Sequence, residues 1–226
     1  MNDFTIKFNN DFSLNIKNSK NILVAGRTGS GKTTFLHKVI TTLAKQNPSE
    51  IKLFLIDLKG VEFSIYNNIN NLYKPVAENW VLAVLGLYNI ADEIKSRIEK
   101  FNKLKVSNID KYNEQVSPKE KLPNIVIIID EACDLLGEKT KGGEVLKYIA
   151  SNSYQLGVHL ILATQMLNEK LLFPSLKANM QTKICFKVSD KSDSLRVVHQ
   201  AGAESLETGE FLHKGVGEET ATKYKV

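Results

Sequence analysis

The chain has 226 residues, of which 42% are hydrophobic and 24% are charged, a balance typical of a globular protein with a buried core. Its longest apolar run, VLAVLGLYNIA at 81–91, is shorter than the roughly 18 residues of a membrane span, and the N-terminus lacks the pattern of a secretory signal, so we expect a cytoplasmic protein without a membrane segment. The net charge of +5 favours a polyanionic partner without requiring one.

The first half of the chain alternates strand and helix patterns. Residues 4–16 predict a β-hairpin, and the apolar ILVAG at 22–26 predicts a buried strand. A helix is expected over 33–46, and KLFLID at 52–57 predicts a second buried strand. Apolar residues at helical spacing then predict one long amphipathic helix over 79–105.

The second half continues the alternation. NIVIIID at 124–130 predicts a buried strand, followed by a helix over 145–156 that Gly157 would cap and by the strand VHLILAT at 158–164. KICFKV at 183–188 and EFLHK at 210–214 are strand-like, with a polar stretch between them. Continuous apolar strands separated by helices predict an α/β fold with a mainly parallel sheet covered on both faces, in a single domain.

One motif carries a specific chemistry. GRTGSGKTT, residues 26–34, fits G-x-x-x-x-G-K-[ST] between a strand and a helix, which is the context that a phosphate-binding loop requires. Its glycines let backbone N–H groups surround phosphate, Lys32 would reach the β and γ phosphates of ATP, and the Thr33 hydroxyl would ligate Mg²⁺. The alternative is a tight strand-to-helix connection without a ligand.

Two further strand ends predict catalytic groups. Asp130 and Glu131 follow an apolar strand, where Asp130 can hold Mg²⁺ and Glu131 can polarise the attacking water. Gln165 ends another strand and can sense the γ-phosphate, although an ordinary polar residue can also close a strand. Together with the loop, the acidic pair favours ATP hydrolysis over phosphoryl transfer to a small substrate.

A family resemblance runs through these segments in order. ILVAGRTGSGKTT, LFLIDLKGVEFSIY, IVIIIDEACDLL, LGVHLILATQ and the C-terminal run from LKANMQTKICFKV to ETGEFL resemble the motor domain of the FtsK/SpoIIIE double-stranded DNA translocases, within the FtsK–HerA superfamily of P-loop ATPases. The resemblance implies a RecA-like core at 21–226 behind the hairpin at 1–20. It also implies assembly into a ring, usually a hexamer, around duplex DNA, with ATP sites between subunits.

The resemblance assigns roles by position. Asp130 and Glu131 become the Mg²⁺-binding and water-activating pair, and Gln165 becomes the sensor. The phosphate-binding residues are Gly26, Arg27, Thr28, Gly29, Ser30, Gly31, Lys32, Thr33 and Thr34.

The chain departs from the family in its arginines. Where the family has a PTRI-like segment this chain has QTKI with Lys183, and the family's DSR becomes DSLR with Arg196. Only Arg27, Arg97 and Arg196 are present, so a cation that acts on the site of a neighbouring subunit must be one of these or a lysine. Arg196 and Lys183 are the best candidates.

Several residues remain open at this point. Asp57 and Lys59 could couple the site to a neighbour or form a simple ion pair, while Trp80 and Phe101 have core spacing. Cys133 and Cys185 are expected to be buried, reduced thiols. The four histidines show no ligand spacing and are assigned structural roles: His37, His159, His199 and His213.

The resulting expectation is an ATP-hydrolysing DNA translocase or DNA-transfer motor. The family's membrane segments and C-terminal DNA reader are not among the matched segments, which suggests a plasmid, phage or integrative element, with a relaxase, capsid or secretion channel as partner. The alternatives are an FtsK-like ATPase of a protein secretion machine and an ATP-binding assembly adaptor with little hydrolysis of its own.

Overall fold

A computed structural model describes residues 4–131, 140–165 and 174–226. A seven-stranded sheet in the order β4-β5-β6-β3-β7-β8-β9 runs through it, and β1 and β2 form a separate antiparallel hairpin. The strands are β1 (Thr5–Lys7), β2 (Ser13–Asn15), β3 (Ile22–Ala25), β4 (Ile51–Asp57), β5 (Asn124–Asp130), β6 (Val158–Thr164), β7 (Thr182–Phe186), β8 (Glu210–Lys214) and β9 (Thr222–Lys225).

Five neighbouring strands of the sheet are parallel, in the order β4, β5, β6, β3 and β7. Strands β8 and β9 add antiparallel pairs at one edge. Strands β3, β5 and β6 are buried along their whole length, because helices or the hairpin cover both faces of the sheet. The prediction of a mainly parallel α/β sheet is therefore confirmed. Strand β9 was not predicted, since its sequence TKYK is polar and its residues lie largely exposed at the edge.

The helices divide between the two faces. Helix α2 packs with the hairpin on one face, and α3, α5, α6 and α7 pack on the other. The helices are α1 (Ile16–Ser19), α2 (Lys32–Leu43), α3 (Trp80–Leu104), α4 (Ile109–Gln115), α5 (Lys141–Asn152), α6 (Pro174–Asn179) and α7 (Lys191–Val198). Asn79 caps α3 by accepting the N–H of Leu82, and Lys105 ends the helix in a left-handed conformation.

The structure corrects several details. Trp80 was expected in the core, but it is 42% exposed, because it occupies the first turn of α3 and burial begins at Ala83. Phe101 is buried as expected. The helix expected over 145–156 is two pieces, α5 and a 3₁₀ turn at Tyr154–Leu156, and Gly157 ends the second piece with φ of 73°. Helices α4 and α7 were not predicted.

Glycine at one position of α3 decides how closely that helix approaches the sheet. A Cβ on Gly86 would lie 2.0 Å from Phe54 Cζ on β4, so only glycine lets the ring pack there. Cys185 is buried and burial raises the pKa of its thiol to about 12, while Cys133 lies outside the described residues. None of the described helices combines the length and apolar character needed to cross a bilayer.

Candidate nucleotide-binding site

The strand order brings three strand ends together. Strand β6 lies between β3 and β5, and all three are parallel, so their carboxyl ends open at one edge of the sheet. The loop 26–34 follows β3, Asp130 ends β5, and Gln165 follows β6. Residues as far apart as Thr28 and Gln165 therefore line one cleft of about 370 Å³, a volume typical of small-ligand pockets.

The loop has the geometry of a phosphate cradle. Gly31 has φ of 112°, and a Cβ there would lie 3.1 Å from the Gly209 Cα, so the close approach of the two backbones requires glycine. The loop leads directly into α2, whose N-terminal N–H groups and dipole favour an anion. Ser30 Oγ is buried without a hydrogen-bond partner among the described atoms, which leaves a polar atom available beside this cradle. These features fit the phosphates of a nucleotide.

Lys32 is folded over the loop. It is only 5% exposed, and its Nζ donates to the carbonyl oxygen of Gly26 at 2.6 Å and to that of Arg27 at 3.2 Å. A charged amino group held among loop carbonyls at the start of α2 is positioned to meet incoming phosphate oxygens. The geometry agrees with the role expected for Lys32 from the motif.

A hydrogen-bonded chain joins the loop to the acidic pair. The Thr28 hydroxyl donates to Gln165 Oε1, and Gln165 Nε2 donates to the carboxylate of Glu131. Glu131 itself has a left-handed backbone with φ of 50°, uncommon for a residue other than glycine and often found at functional sites. The sequence placed Gln165 near the acids, but its contact with Thr28 depends on side-chain packing that no motif encodes.

The environment of Asp130 favours a cation. Its side chain is buried, and burial together with the nearby Glu131 raises the pKa of Asp130 to about 6, although Lys32 acts in the opposite direction. A divalent cation would relieve this penalty by stabilising the ionised carboxylate. Thr33 lines the same cleft, so a hydroxyl and a carboxylate, which are oxygen ligands suited to Mg²⁺, are both available there.

Asp57 organises a second wall of the cleft. Its carboxylate accepts backbone N–H groups from Lys59, Gly60, Glu62 and Phe63, at 2.7 to 3.2 Å. It therefore acts through the backbone of this loop, and no ion pair with Lys59 is present in the described structure. The loop brings Lys59, Val61 and Glu62 to the cleft. Asp57 and Lys59 stood out in the sequence, but the position of their loop beside the cleft was not predicted, although an Asp three residues before a Gly is a turn signal.

Thr208 contributes a further wall residue that sequence reasoning missed. It lies in the segment before β8, and its hydroxyl is 3.5 Å from the Gly29 carbonyl oxygen. The adjacent Gly209 donates its N–H to Ser30 O at 2.9 Å. The segment that leads into β8 therefore braces the phosphate loop, a contact over about 180 positions that no local pattern signals.

The remaining arginines differ in their surroundings. Arg97 is 1% exposed and donates to Glu93, to the Leu156 carbonyl and to the Pro123 carbonyl, so it is an internal structural residue and cannot reach another subunit. The Arg196 side chain is half exposed and contacts Asp193. Lys183 is paired with Leu23 in the sheet register, on the amino side of the loop. Neither Arg196 nor Lys183 borders the chain's own cleft.

Comparison with known proteins matches this architecture. The sequence profile of the FtsK/SpoIIIE family matches residues 3–169. The DNA translocase FtsK of Streptococcus agalactiae is 37% identical over 217 residues, which cover 91% of this chain and 27% of that protein. The DNA translocase FtsK of Campylobacter jejuni is 39% identical over 203 residues, 87% of this chain and 21% of that protein. The chain thus spans about a quarter of these relatives.

Solved structures share the fold. The conjugation coupling protein TcpA of pCW3, in its monomer form with ATPγS, superposes with a TM-score of 0.85 at 24% identity, covering 98% of this chain and 64% of that one. The cytoplasmic domain of the type VII secretion ATPase EccC of Thermomonospora curvata has a TM-score of 0.81 at 24% identity, covering 95% of this chain and 27% of that one. These similarities establish the RecA-like P-loop ATPase fold expected from the resemblance.

Proposed function

The chain belongs to the FtsK/SpoIIIE family, and we propose that it is an ATP-hydrolysing motor that translocates or transfers double-stranded DNA. The observation that carries the proposal is the convergence of Lys32, the pair Asp130 and Glu131, and Gln165 on one cleft. These residues would provide a phosphate-binding loop, a buried carboxylate for a cation and a general base for the attacking water, which are the groups that hydrolysis of a nucleoside triphosphate needs.

Each residue takes one task in the reaction. The loop 26–34 binds the phosphates through backbone N–H groups, and Lys32 neutralises charge on the β and γ oxygens. Thr33 and Asp130 would hold Mg²⁺, which would supply charge neutralisation to the phosphate groups. Glu131 orients the attacking water and accepts its proton as the water oxygen bonds to the γ-phosphorus. The bond between the γ-phosphorus and the β–γ bridging oxygen breaks, and ADP leaves.

Gln165 is placed to report the state of the site. The side-chain amide of Gln165 is hydrogen-bonded to Thr28 of the phosphate loop on one side and to Glu131 on the other. A γ-phosphate between loop and acid would compete for these bonds, so binding and hydrolysis would change the position of Gln165 and of β6. In a motor this change is the step that passes chemical energy to the rest of the fold.

Full activity on this proposal requires neighbouring subunits. Because Arg97 is buried, we propose that a cation that stabilises the transferred phosphoryl group comes from another copy, with Arg196 or Lys183 as its source. Such a cation contributes roughly 10³-fold or more in related NTPases. We propose a ring, with six subunits as in the family resemblance, around duplex DNA, and a relaxase, capsid or secretion channel of a mobile element as a further partner.

We propose that the cargo of the motor is DNA and not protein. The relatives matched at 37% and 39% identity carry the name DNA translocase, whereas the secretion ATPase EccC is 24% identical. Because the chain spans about a quarter of these translocases, activity on DNA is part of the proposal. Protein secretion remains the second candidate, supported by the similarity in fold.

ATP turnover as a function of protein concentration tests the proposal. ATPase activity should rise more than linearly with protein concentration and should rise with added duplex DNA, because DNA gathers subunits on one polyanion. The DNA effect should weaken steeply with salt. Glu131→Gln should bind MgATP but slow hydrolysis by orders of magnitude, and Lys32→Ala should lose tight binding. Specific activity that is flat with protein concentration and indifferent to DNA would favour the adaptor function instead.

A further inference from the structure

A second groove lies at the opposite edge of the sheet from the nucleotide cleft. Strands β4 and β5 are parallel and begin at Ile51 and Asn124, so their amino ends meet at this edge. At a rise of roughly 3.3 Å per residue, the two edges are about 20 Å apart. Glu50 and Asn124 line a groove of about 980 Å³ here, together with residues of the N-terminal segment, of α4 and of the link 116–123. We call it the amino-edge groove.

The link before β5 is held in place, so the amino-edge groove has a preformed wall. The side-chain amide of Asn113 donates to the Leu122 carbonyl oxygen at 2.9 Å and accepts the Leu122 N–H at 2.8 Å, as a neighbouring strand would. Pro118 and Pro123 restrict the backbone of the same link, and Pro48 also lines the groove. A ligand that binds here therefore meets walls that lose little conformational entropy on binding.

The amino-edge groove carries an excess of positive charge. Four lysines against two acids line it, a formal charge of +2: Lys17, Lys52, Lys119, Lys121, Glu50 and Asp110. Asp110 neutralises Lys17, because the two form an ion pair at 2.7 Å. Within the part of the chain that the structure describes, the exposed side chains of Lys119 and Lys121 form no ion pair. Glu120, between them in sequence, is hydrogen-bonded within its own turn and does not line the groove. The unpaired lysines favour an anionic ligand.

Glu50 adds a requirement that a simple polyanion cannot meet. Its Oε2 is buried without a hydrogen-bond partner among the described atoms, and a buried carboxylate oxygen that lacks a donor is costly. Its backbone is fixed, because the Glu50 carbonyl oxygen accepts the N–H of Asn124 at 2.8 Å. The phosphodiester backbone of DNA carries acceptors only, so it would leave Glu50 without a donor and would be repelled by its charge. The ligand that fits this groove offers hydrogen-bond donors as well as negative charge.

An acidic peptide in an extended conformation meets both requirements, because it carries backbone N–H groups and carboxylates along one chain. We propose that the amino-edge groove binds an acidic, extended segment of a partner protein. Glu50 accepts a backbone N–H of this segment, and Lys119 and Lys121 pair with its carboxylates. Because the groove and the nucleotide cleft lie at opposite edges of the sheet, the partner can stay bound while a nucleotide enters and leaves. The groove therefore attaches the chain to a partner whether or not the chain hydrolyses ATP.

Fluorescence anisotropy of labelled hexaglutamate, capped at its peptide termini, tests the charge contacts. Reversing both rim lysines, Lys119→Glu with Lys121→Glu, should weaken binding by about 10-fold or more, because two attractions become repulsions. The matched control reverses two exposed lysines outside the groove, Lys103→Glu on α3 with Lys147→Glu on α5, and so changes the net charge equally. At physiological salt the control should weaken binding by less than about twofold, since distant charges are screened. Equal weakening by the two pairs, or no binding of hexaglutamate to the wild type, would overturn the proposal.

The contact with Glu50 is tested by Glu50→Met, which keeps the length of the side chain but removes the acceptor and the charge. Hexaglutamate should bind about 5-fold more weakly, because a buried peptide N–H is left without an acceptor. A short DNA duplex should bind no more weakly, because only a repulsion is removed. Unchanged or tighter binding of hexaglutamate would show that Glu50 accepts no N–H from the peptide and would refute the contact. A duplex that loses more affinity than hexaglutamate when Lys119 and Lys121 are reversed would identify a DNA site and overturn the peptide assignment.

NMR with a nitroxide label at one end of hexaglutamate locates the bound peptide. The label should broaden the backbone amide signals of Asn113 and Leu122 far more than that of Gln165, which lies at the nucleotide cleft. Saturating MgATP should not displace the peptide, because the two sites lie at opposite edges of the sheet. Stronger broadening at Gln165, or displacement by MgATP, would place the peptide in the nucleotide cleft and overturn the proposal. None of these measurements requires hydrolysis, so their failure is distinguishable from a failure of the proposed ATPase function.

Discussion

Replacing Asp130 by asparagine should make the free protein more stable while removing its response to MgATP. Asp130 is buried at the end of β5, beside Glu131, and its pKa is raised from 3.8 to about 6. Because the folded state holds this proton more tightly than the unfolded chain, the ionised side chain destabilises the fold above pH 6, and the penalty disappears as the pH falls below 3.8. At 1.36 kcal/mol per pKa unit, the penalty at pH 8 is about 3 kcal/mol.

Asparagine keeps the shape and the acceptor oxygen but removes the charge. Its Oδ1 can still accept the N–H of Glu131, which Asp130 accepts at 3.1 Å. Asp130→Asn should therefore raise the free energy of unfolding by about 3 kcal/mol at pH 8, or the midpoint by roughly 6–12 °C for a chain of this size. At pH 5 the gain should fall to about half, since the wild-type carboxyl is then largely protonated in the folded state but ionised in the unfolded chain.

Thermal and urea unfolding without nucleotide or Mg²⁺, at pH 5 and pH 8, measures the effect. Asp92→Asn, at an exposed site on α3, is the matched control and should change the midpoint little at either pH. In the same assay MgATP should stabilise the wild type but not Asp130→Asn, because the cation loses its buried carboxylate. If Asp130→Asn is no more stable than wild type at pH 8, the ionised Asp130 carboxylate does not destabilise the free protein, and the reasoning is refuted.

Three further substitutions test the packing around the site. Arg97→Ala should destabilise the fold by about 3–5 kcal/mol in urea unfolding, because it leaves buried acceptors unpaired; lost hydrolysis at unchanged stability would instead indicate a catalytic arginine. Gly86→Ala should lower the free energy of unfolding by about 1–3 kcal/mol despite the better helix propensity of alanine. Phe54→Leu in the same chain should recover part of this loss, and an unchanged stability in Gly86→Ala would contradict the close contact. Asp57→Ala should speed hydrogen exchange at the four backbone amides whose N–H groups the Asp57 carboxylate accepts. Unchanged exchange would show that the loop keeps its conformation without these hydrogen bonds.

The sequence by itself determined the chemistry of the loop and the class of fold. Apolar runs such as NIVIIID must be buried on both faces, which requires a parallel sheet with covering layers. The spacing of Gly26, Gly31, Lys32 and Thr33 can be read directly, because each residue acts through the local backbone at a strand-to-helix junction. The FtsK/SpoIIIE resemblance was also visible from the order of short segments.

The tertiary structure decided which residues from distant parts of the sequence contact one another. The burial of Arg97 depends on carbonyls from two distant segments, and the bracing of the loop by Gly209 joins positions about 180 apart. The encounter of Lys183 with Lys214 and His199 depends on the antiparallel return of β8 and on where α7 ends. Helical and strand periodicity reports only which face of an element is apolar, whereas these contacts are set by strand order and register, and those are fixed by the packing of the whole sheet.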